Sequence, residues 1–300
     1  MFGRISRFAR EPRFLGPKEV VLTFDDGPSP AITRSILKTL ASYCAKATFF
    51  PVGRMAVAYP SLMREISRAG HTIGAHTWTH PNNLRRIGPT TREFQIEKGF
   101  AAIAKATNAA ISPFFRFPGL NDDKHALAYL QARGVATFSV DVVTDDSFIS
   151  DAKELENITL KRIFEHQGGI VLFHDIKPAT AEALPHILSG LASKGYSIVH
   201  MTSKFSFTPL DRFAKEMSQR LANAEEPVAK VSLAGLQRTL RPSNSPPPVP
   251  PPVTLLSPER RKIELATARA QRIRSLVRSF KGSGWSRIVE QKPDETVTAQ

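Results

Sequence analysis

The sequence predicts an α/β domain with parallel strands and helices packed outside them, and three observations carry that expectation. Between residues 20 and 201, short β-rich runs alternate with stretches of helical periodicity. The alternation repeats through seven strand candidates, at residues 20–24, 47–50, 71–75, 113–117, 136–140, 169–173 and 197–200. Ionisable residues stand just past several of these runs, where parallel α/β folds build their sites. Periodicity does not choose between an open doubly wound sheet and a closed barrel.

The first strand, "VVLTF", is apolar at Val20, Val21, Leu22 and Phe24, and Gly27-Pro28 stops it. Asp25 and Asp26 lie between strand and stop, two carboxylates that repel each other and resist desolvation. Asp-Gly is also ordinary turn chemistry. A helix follows with Ser29 as N-cap and Pro30 in its first turn, and Ile32, Ile36 and Leu40 form one stripe. After the second strand a loose turn leads into a helix over 60–69. The third strand runs into "HTWTH", which brings His76 and His80. A helix over 92–107 precedes the fourth strand, whose end carries Arg116. Asp122 and Asp123 read as the start of a helix over 124–133. Asp141 stands just past the fifth strand and His174 just past the sixth, with helices over 159–167 and 180–194 around them.

Residues 1–17 are expected to form a basic arm, 18–207 the α/β domain, 208–258 a mostly disordered linker holding "PSNSPPPVPPP", and 259–300 a basic amphipathic helix and tail. Of 300 residues 41% are hydrophobic, enough for one sizeable core or two small ones. The net charge is +14, and residues 206–300 carry 16 Lys and Arg against 9 Asp and Glu. Such a tail suits an anionic surface or a protein partner, although a charge run is more often a solvated face; no specific nucleic acid is expected. Cys44 is the only cysteine, which excludes an internal disulfide and a thiolate metal cluster. No apolar run approaches a membrane span, and the N-terminus shows no apolar secretory core, so a cytoplasmic location is expected, with export by another route as the alternative.

Two imidazoles at i and i+4 past a strand reach a common point, and with one of the adjacent aspartates they suit a catalytic metal with open positions for water. The other aspartate then serves as general base, with Arg116 as the cation that keeps it ionised. His174, across the rim, suits a general acid held protonated by a nearby aspartate. Backbone N–H groups of the turn over 117–120 suit an oxyanion. The set describes metal-assisted hydrolysis of an amide or ester. Trp78 suits stacking on a sugar ring, although packing is the commoner use of such a residue. Asp175 suits helping His174, although capping a turn is the commoner use of an aspartate beside a strand end.

At these residues the chain resembles the polysaccharide deacetylase family, also called carbohydrate esterase family four. "TFDDGP", "HTWTH" and "LFH" carry the resemblance, which covers roughly residues 18–201. It implies a distorted (β/α)7 barrel, with Asp25 as base and Asp26, His76 and His80 as ligands of zinc, or of cobalt or manganese in its place. It further implies His174 as acid, Leu172 lining the acetyl pocket, and N-deacetylation of an N-acetylglucosamine-containing glycan. Two motifs depart from the family pattern. Gly119 stands where the family has a tyrosine whose backbone N–H serves the oxyanion, and Ser147 stands where it has a tryptophan. Asp141 is the expected partner of His174, with Asp146 as the alternative. A glycan-binding protein without turnover, a deacylase of a small non-sugar amide and a non-haem iron site are the rival readings.

Overall fold

A computed structural model describes residues 1–6, 8 and 14–223, together with the short stretches Leu276–Val277 and Trp285–Ser286. Its centre is β1 (Glu19–Asp25), which pairs along its whole length with β7 (Gly168–His174). The C-terminal end of β1 also pairs with β2 (Thr48–Phe50), and its start with β8 (Ser197–His200). β3 (Thr72–Ile73) continues from β2, and β6 (Val142–Val143) lies along β7. β4 (Phe114–Phe115) and β5 (Ala136–Thr137) form a separate pair. All these pairings are parallel. Backbone bonds beyond these strands join the β3 segment to the β4 segment and the start of β6 to β7. Arg116 N–H donates to the Ala75 carbonyl at 3.1 Å, and Asp141 N–H donates to the Ile170 carbonyl at 2.8 Å.

Between the strands run α1 (Pro30–Ser42), α2 (Gly53–Ala58), α3 (Pro60–Arg68), α4 (Pro89–Thr107), α5 (Lys124–Ala132), α6 (Ala152–His166) and α7 (Pro178–Ser193). This is the expected parallel α/β architecture. The two-residue period of β1 explains its layers. Val20, Leu22 and Phe24 join the large cluster with Ile36, Leu40, Leu184 and Ile187 of the helices. Val21 belongs to a second cluster with Phe50, Phe138, Ile170 and Leu172. Asp25 continues that second side of β1, and His174 continues the same side of β7. Asp25 and His174 are register partners.

Several elements differ from expectation. β5 stops at Thr137 instead of 140, because the N-terminal segment takes its backbone bonds. Phe2 N–H donates to the Thr137 carbonyl at 3.0 Å, and Ser139 N–H donates to the Phe2 carbonyl at 2.7 Å. The residues expected only as a basic arm therefore begin as a paired segment. The chain then forms β6, which was not expected. The loose turn before residue 60 is the helix α2, whose first N–H groups find the carbonyls of Thr77 and Trp78 at 2.9 and 3.0 Å. α6 starts at Ala152 instead of 159, capped by Asp151, whose side chain accepts the Glu154 N–H at 2.7 Å. Ser29 precedes α1 without a side-chain cap; its N–H donates to Thr33 Oγ1.

The expected linker begins with a helix, α8 (Asp211–Ala222), which packs Phe213 and Met217 on Val57, Trp78, Ala101 and Ala102. Residues 224–258, with the proline-rich stretch, lie outside the described residues. So do the expected helix and tail over 259–300, except Leu276–Val277, a strand beside β8, and Trp285–Ser286. Trp285–Ser286 pairs antiparallel with β9 (Thr202–Ser203). Among the described residues no helix is long and apolar enough to cross a membrane.

Candidate metal centre and its flanking acid and base

The carboxyl ends of β1, β4 and β7 and the chain beyond β3 meet at one place. Asp26 Oδ1 lies 3.3 Å from His80 Nε2 and 3.6 Å from His76 Nε2. One ligand atom from each of these three residues falls within 4.8 Å of the others. Asp26 Oδ1 is buried and has no hydrogen-bond partner. A buried carboxylate oxygen left unpaired is costly unless something else compensates it, and a divalent cation would. His76 Nδ1 donates to the Arg116 carbonyl at 2.8 Å, which leaves Nε2 with a lone pair facing Asp26. Burial pushes the His76 pKa down to about 3, so the ring is neutral, as a ligand must be. The donor set and its protonation fit a divalent ion.

The local backbone is unusual at these residues. Asp26, Thr77 and His80 have φ of 76°, 68° and 58°. The left-handed region costs a non-glycine residue about 1–2 kcal/mol, so the surroundings must hold it. α4 holds the histidine loop: Gln95 Oε1 accepts the Thr79 N–H at 2.9 Å. Gly99 is a close approach, because a Cβ there would lie 2.6 Å from the Thr77 carbonyl carbon.

Asp25 sits beside this cluster, 3% exposed. Its Oδ1 accepts from Arg116 Nη1 at 2.8 Å, and its Oδ2 lies 3.8 Å from His76 Nε2. Burial raises the Asp25 pKa, and the Arg116 charge opposes that rise. Arg116 is wholly buried and is held in turn. It donates to Thr23 Oγ1 at 2.7 Å and to the carbonyls of Phe138 and Ser139 at 3.3 Å, and its guanidinium lies 4.4 Å from the Phe50 ring centre.

His174 faces the cluster from β7, with Nε2 3.9 Å from Asp26 Oδ2. Its partner is Asp146, not Asp141. Asp146 Oδ1 accepts from His174 Nδ1 at 2.7 Å, and Oδ2 accepts from the His174 N–H and from Thr180 Oγ1. Burial works against a charged imidazole here, but the Asp146 hydrogen bond and charge, with Asp25 and Asp26, raise its pKa to about 9. The correction has a simple cause. Asp141 lies level with Ile170, four residues before His174, or about 13 Å at ~3.3 Å per residue. β6 carries the chain upward beside Val171 and Leu172, so that Asp146 arrives at the right height. Asp141 instead accepts the Ile170 N–H at 2.8 Å and the Arg4 N–H at 3.1 Å, fastening the N-terminal segment to β7.

The remaining candidates divide. Leu172 is two residues before His174, on the same side of β7, and 7% exposed. Gly119 lies in a short 3-10 turn, Pro118–Leu120, with φ of 59°, a conformation glycine adopts without strain. Trp78 does not stand free for a sugar ring. It is 7% exposed, packed among α2, α4 and α8, with Lys98 Nζ 4.9 Å from its ring centre. Sequence reasoning missed Thr23, Gln95 and Thr180, whose roles depend on contacts between distant elements. It left Asp175 between helping His174 and capping a turn. That carboxylate is buried, which pushes its pKa up to about 7, and it holds the Gly27 N–H and the Thr33 hydroxyl.

These features define a parallel α/β protein with a His-His-Asp cluster between a buried carboxylate and a raised-pKa histidine. The polysaccharide deacetylase profile matches residues 14–138. A chitooligosaccharide deacetylase of Azorhizobium caulinodans is 31% identical over 198 residues, which cover 64% of this chain and 92% of that one. The chain belongs to the polysaccharide deacetylase family. The peptidoglycan-N-acetylglucosamine deacetylase PgdA of Listeria monocytogenes is 31% identical over 193 residues, 63% of this chain, which spans only 39% of that relative's length. Two solved structures are similar. A family 4 carbohydrate esterase from Streptomyces lividans, in complex with acetate, has a TM-score of 0.55 and 29% identity over 64% of this chain and 98% of its own. A family pseudoenzyme from Bacillus anthracis has the same TM-score, 0.55, and 27% identity over 61% of this chain and 63% of its own.

Proposed function

We propose that this chain is a metal-dependent hydrolase that removes acetyl groups from N-acetylglucosamine residues of an oligosaccharide or glycan strand. The observation that carries the reading is the register pairing of Asp25 with His174, which sets a base and an acid on adjacent strands beside one His-His-Asp cluster. Fold similarity alone does not carry it, since a pseudoenzyme shares the fold. Asp26, His76 and His80 would hold the ion, with zinc proposed. A divalent ion there supplies Lewis acidity toward an acyl oxygen and a lowered pKa for water.

The chain's own residues do the proton work. Asp25, fixed by Arg116, accepts a proton from the water that attacks the acetamide carbon. A base whose pKa is raised toward neutral is better matched to that task. His174 donates a proton to the nitrogen as the C–N bond breaks, leaving acetate and a free amine. Asp146 keeps that imidazole charged and oriented. Leu172, on the same side of β7, offers an apolar wall for the acetyl methyl, and Gly119, in the turn just past Arg116, offers its backbone N–H.

The test is acetate release from chitooligosaccharides and from peptidoglycan, measured before chelation, after it, and after zinc is restored. Release that stops and returns with zinc is expected. Glycan that binds zinc-loaded protein without release would instead show a binding protein on this fold.

A further inference from the structure

Asp26 is left-handed, with φ of 76°, and something must hold it there. The bonds around it converge on one residue of a different strand end. Asp175 N–H donates to the Asp25 carbonyl at 3.2 Å, just before Asp26. Asp175 Oδ1 accepts the Gly27 N–H at 3.0 Å, just after it. Asp175 Oδ2 accepts from Thr33 Oγ1 at 2.7 Å, and that hydroxyl oxygen accepts the Ser29 N–H at 2.8 Å. The side chain is 1% exposed as part of its residue, so no solvent competes for these bonds. Gly27 completes the fit: a Cβ there would lie 2.1 Å from Asp175 Oδ2, and its three nearest atoms would all be Asp175 carboxylate atoms.

We propose that Asp175 is a positioning residue that clamps the turn over residues 25–27 and so aims the Asp26 carboxylate at His76 and His80. Asp175 touches neither the imidazoles nor the place where an ion would sit. It acts through the backbone on both sides of Asp26, and its neighbour His174 brings the acid to the same turn. One short segment of β7 and its exit thus sets both the acid and the ligand carboxylate. The inference rests on the metal reading given above.

Zinc binding tests it, measured by chelator competition on the full chain, with circular dichroism to confirm folding. Asp175→Ala is expected to weaken zinc binding about 10- to 100-fold, the usual effect of losing a residue that orients a ligand. Gly27→Ala is expected to weaken it comparably, because the new methyl displaces the carboxylate. In the double variant Gly27→Ala is expected to add little, since the atoms it would strike are gone, and this non-additivity is the signature of the clamp. Asp175→Asn keeps an oxygen for the Gly27 N–H and is expected to restore part of the affinity; it and Gly27→Ala decide the matter if the alanine variant does not fold. Unchanged zinc affinity in the folded Asp175 variants, or fully additive losses, would overturn the inference alone. A wild-type chain that takes up no zinc would overturn the metal reading and this inference together.

Discussion

Asp25 with Arg116 and His174 with Asp146 are both carboxylate–cation pairs, bonded at 2.8 and 2.7 Å, yet their surroundings differ. The first lies sealed between strands. Arg116 is wholly buried and spends its remaining donors on Thr23 and two carbonyls. The second lies at the rim, where the His174 side chain is 16% exposed. Burial raises the carboxylate of the first pair in spite of its cation. In the second pair burial opposes the charge, but Asp146 and the two neighbouring aspartates win, and the imidazole rises to about 9. In the proposed mechanism one type of bond therefore serves a proton acceptor in one place and a proton donor in the other.

The largest expected effect breaks the sealed pair at its reacting member. Asp25→Asn should lower kcat roughly 10³-fold while zinc affinity stays near wild type, because Asp25 is not needed as a ligand. Acetate assays and chelator competition on the same preparation check both halves. Next comes its cation. Arg116→Met strands a buried carboxylate, and the loss should reach about 3 kcal/mol in urea unfolding, with kcat down roughly 10²-fold. The rim pair should respond less. Asp146→Asn should lower kcat about 10- to 100-fold, since the imidazole loses the charge that holds it protonated and one of the two oxygens that orient it, without the large loss of stability.

A fourth outcome separates titration of the pairs from unfolding. Burial, and then the charge of Lys46, lower the pKa of His71 to about 3 and of His200 to about 4. His71 Nδ1 accepts the Ala47 N–H, so the folded ring stays neutral. Unfolded, each histidine binds a proton below about pH 6.5. The unfolded chain then holds more protons, and stability falls as pH drops from about 6.5 toward 4, by about 2 kcal/mol per histidine at pH 5. His71→Gln should flatten that slope in urea titrations between pH 7 and 5. The smallest effect belongs to Trp78. Trp78→Phe should leave KM within about 2-fold and cost about 1 kcal/mol of stability, because the ring packs against α8 instead of facing the cleft.

Much of the site could be read in the chain because it is local. Asp25 and Asp26 end one strand, and His76 and His80 share one short loop. Those spacings survive any error in the strands around them. The His174 partner was not local. Choosing Asp141 followed from placing a strand end at residue 140, whereas the N-terminal segment ends β5 early and β6 then adds height beside β7. Nothing near residue 141 announces a strand segment supplied from residue 2. α8 was missed because its apolar face is narrow, with Phe213 and Met217 one turn apart among charges. Trp78 was offered to the substrate for the same reason, since the helix that covers it was unseen.

The chain alone determined the layers and the donor set. Alternating apolar residues must bury one face against helices, and a carboxylate with two imidazoles that converge is a donor set suited to a divalent ion. Tertiary structure decided which carboxylate serves which partner. Height along a parallel sheet depends on register, and register here is set by pairing between separate segments, Asp25 beside His174 and Val142 beside Val171. It also decided that Asp175, silent as a letter beside His174, grips the turn on both sides of Asp26, because only a folded chain brings the ends of β1 and β7 together.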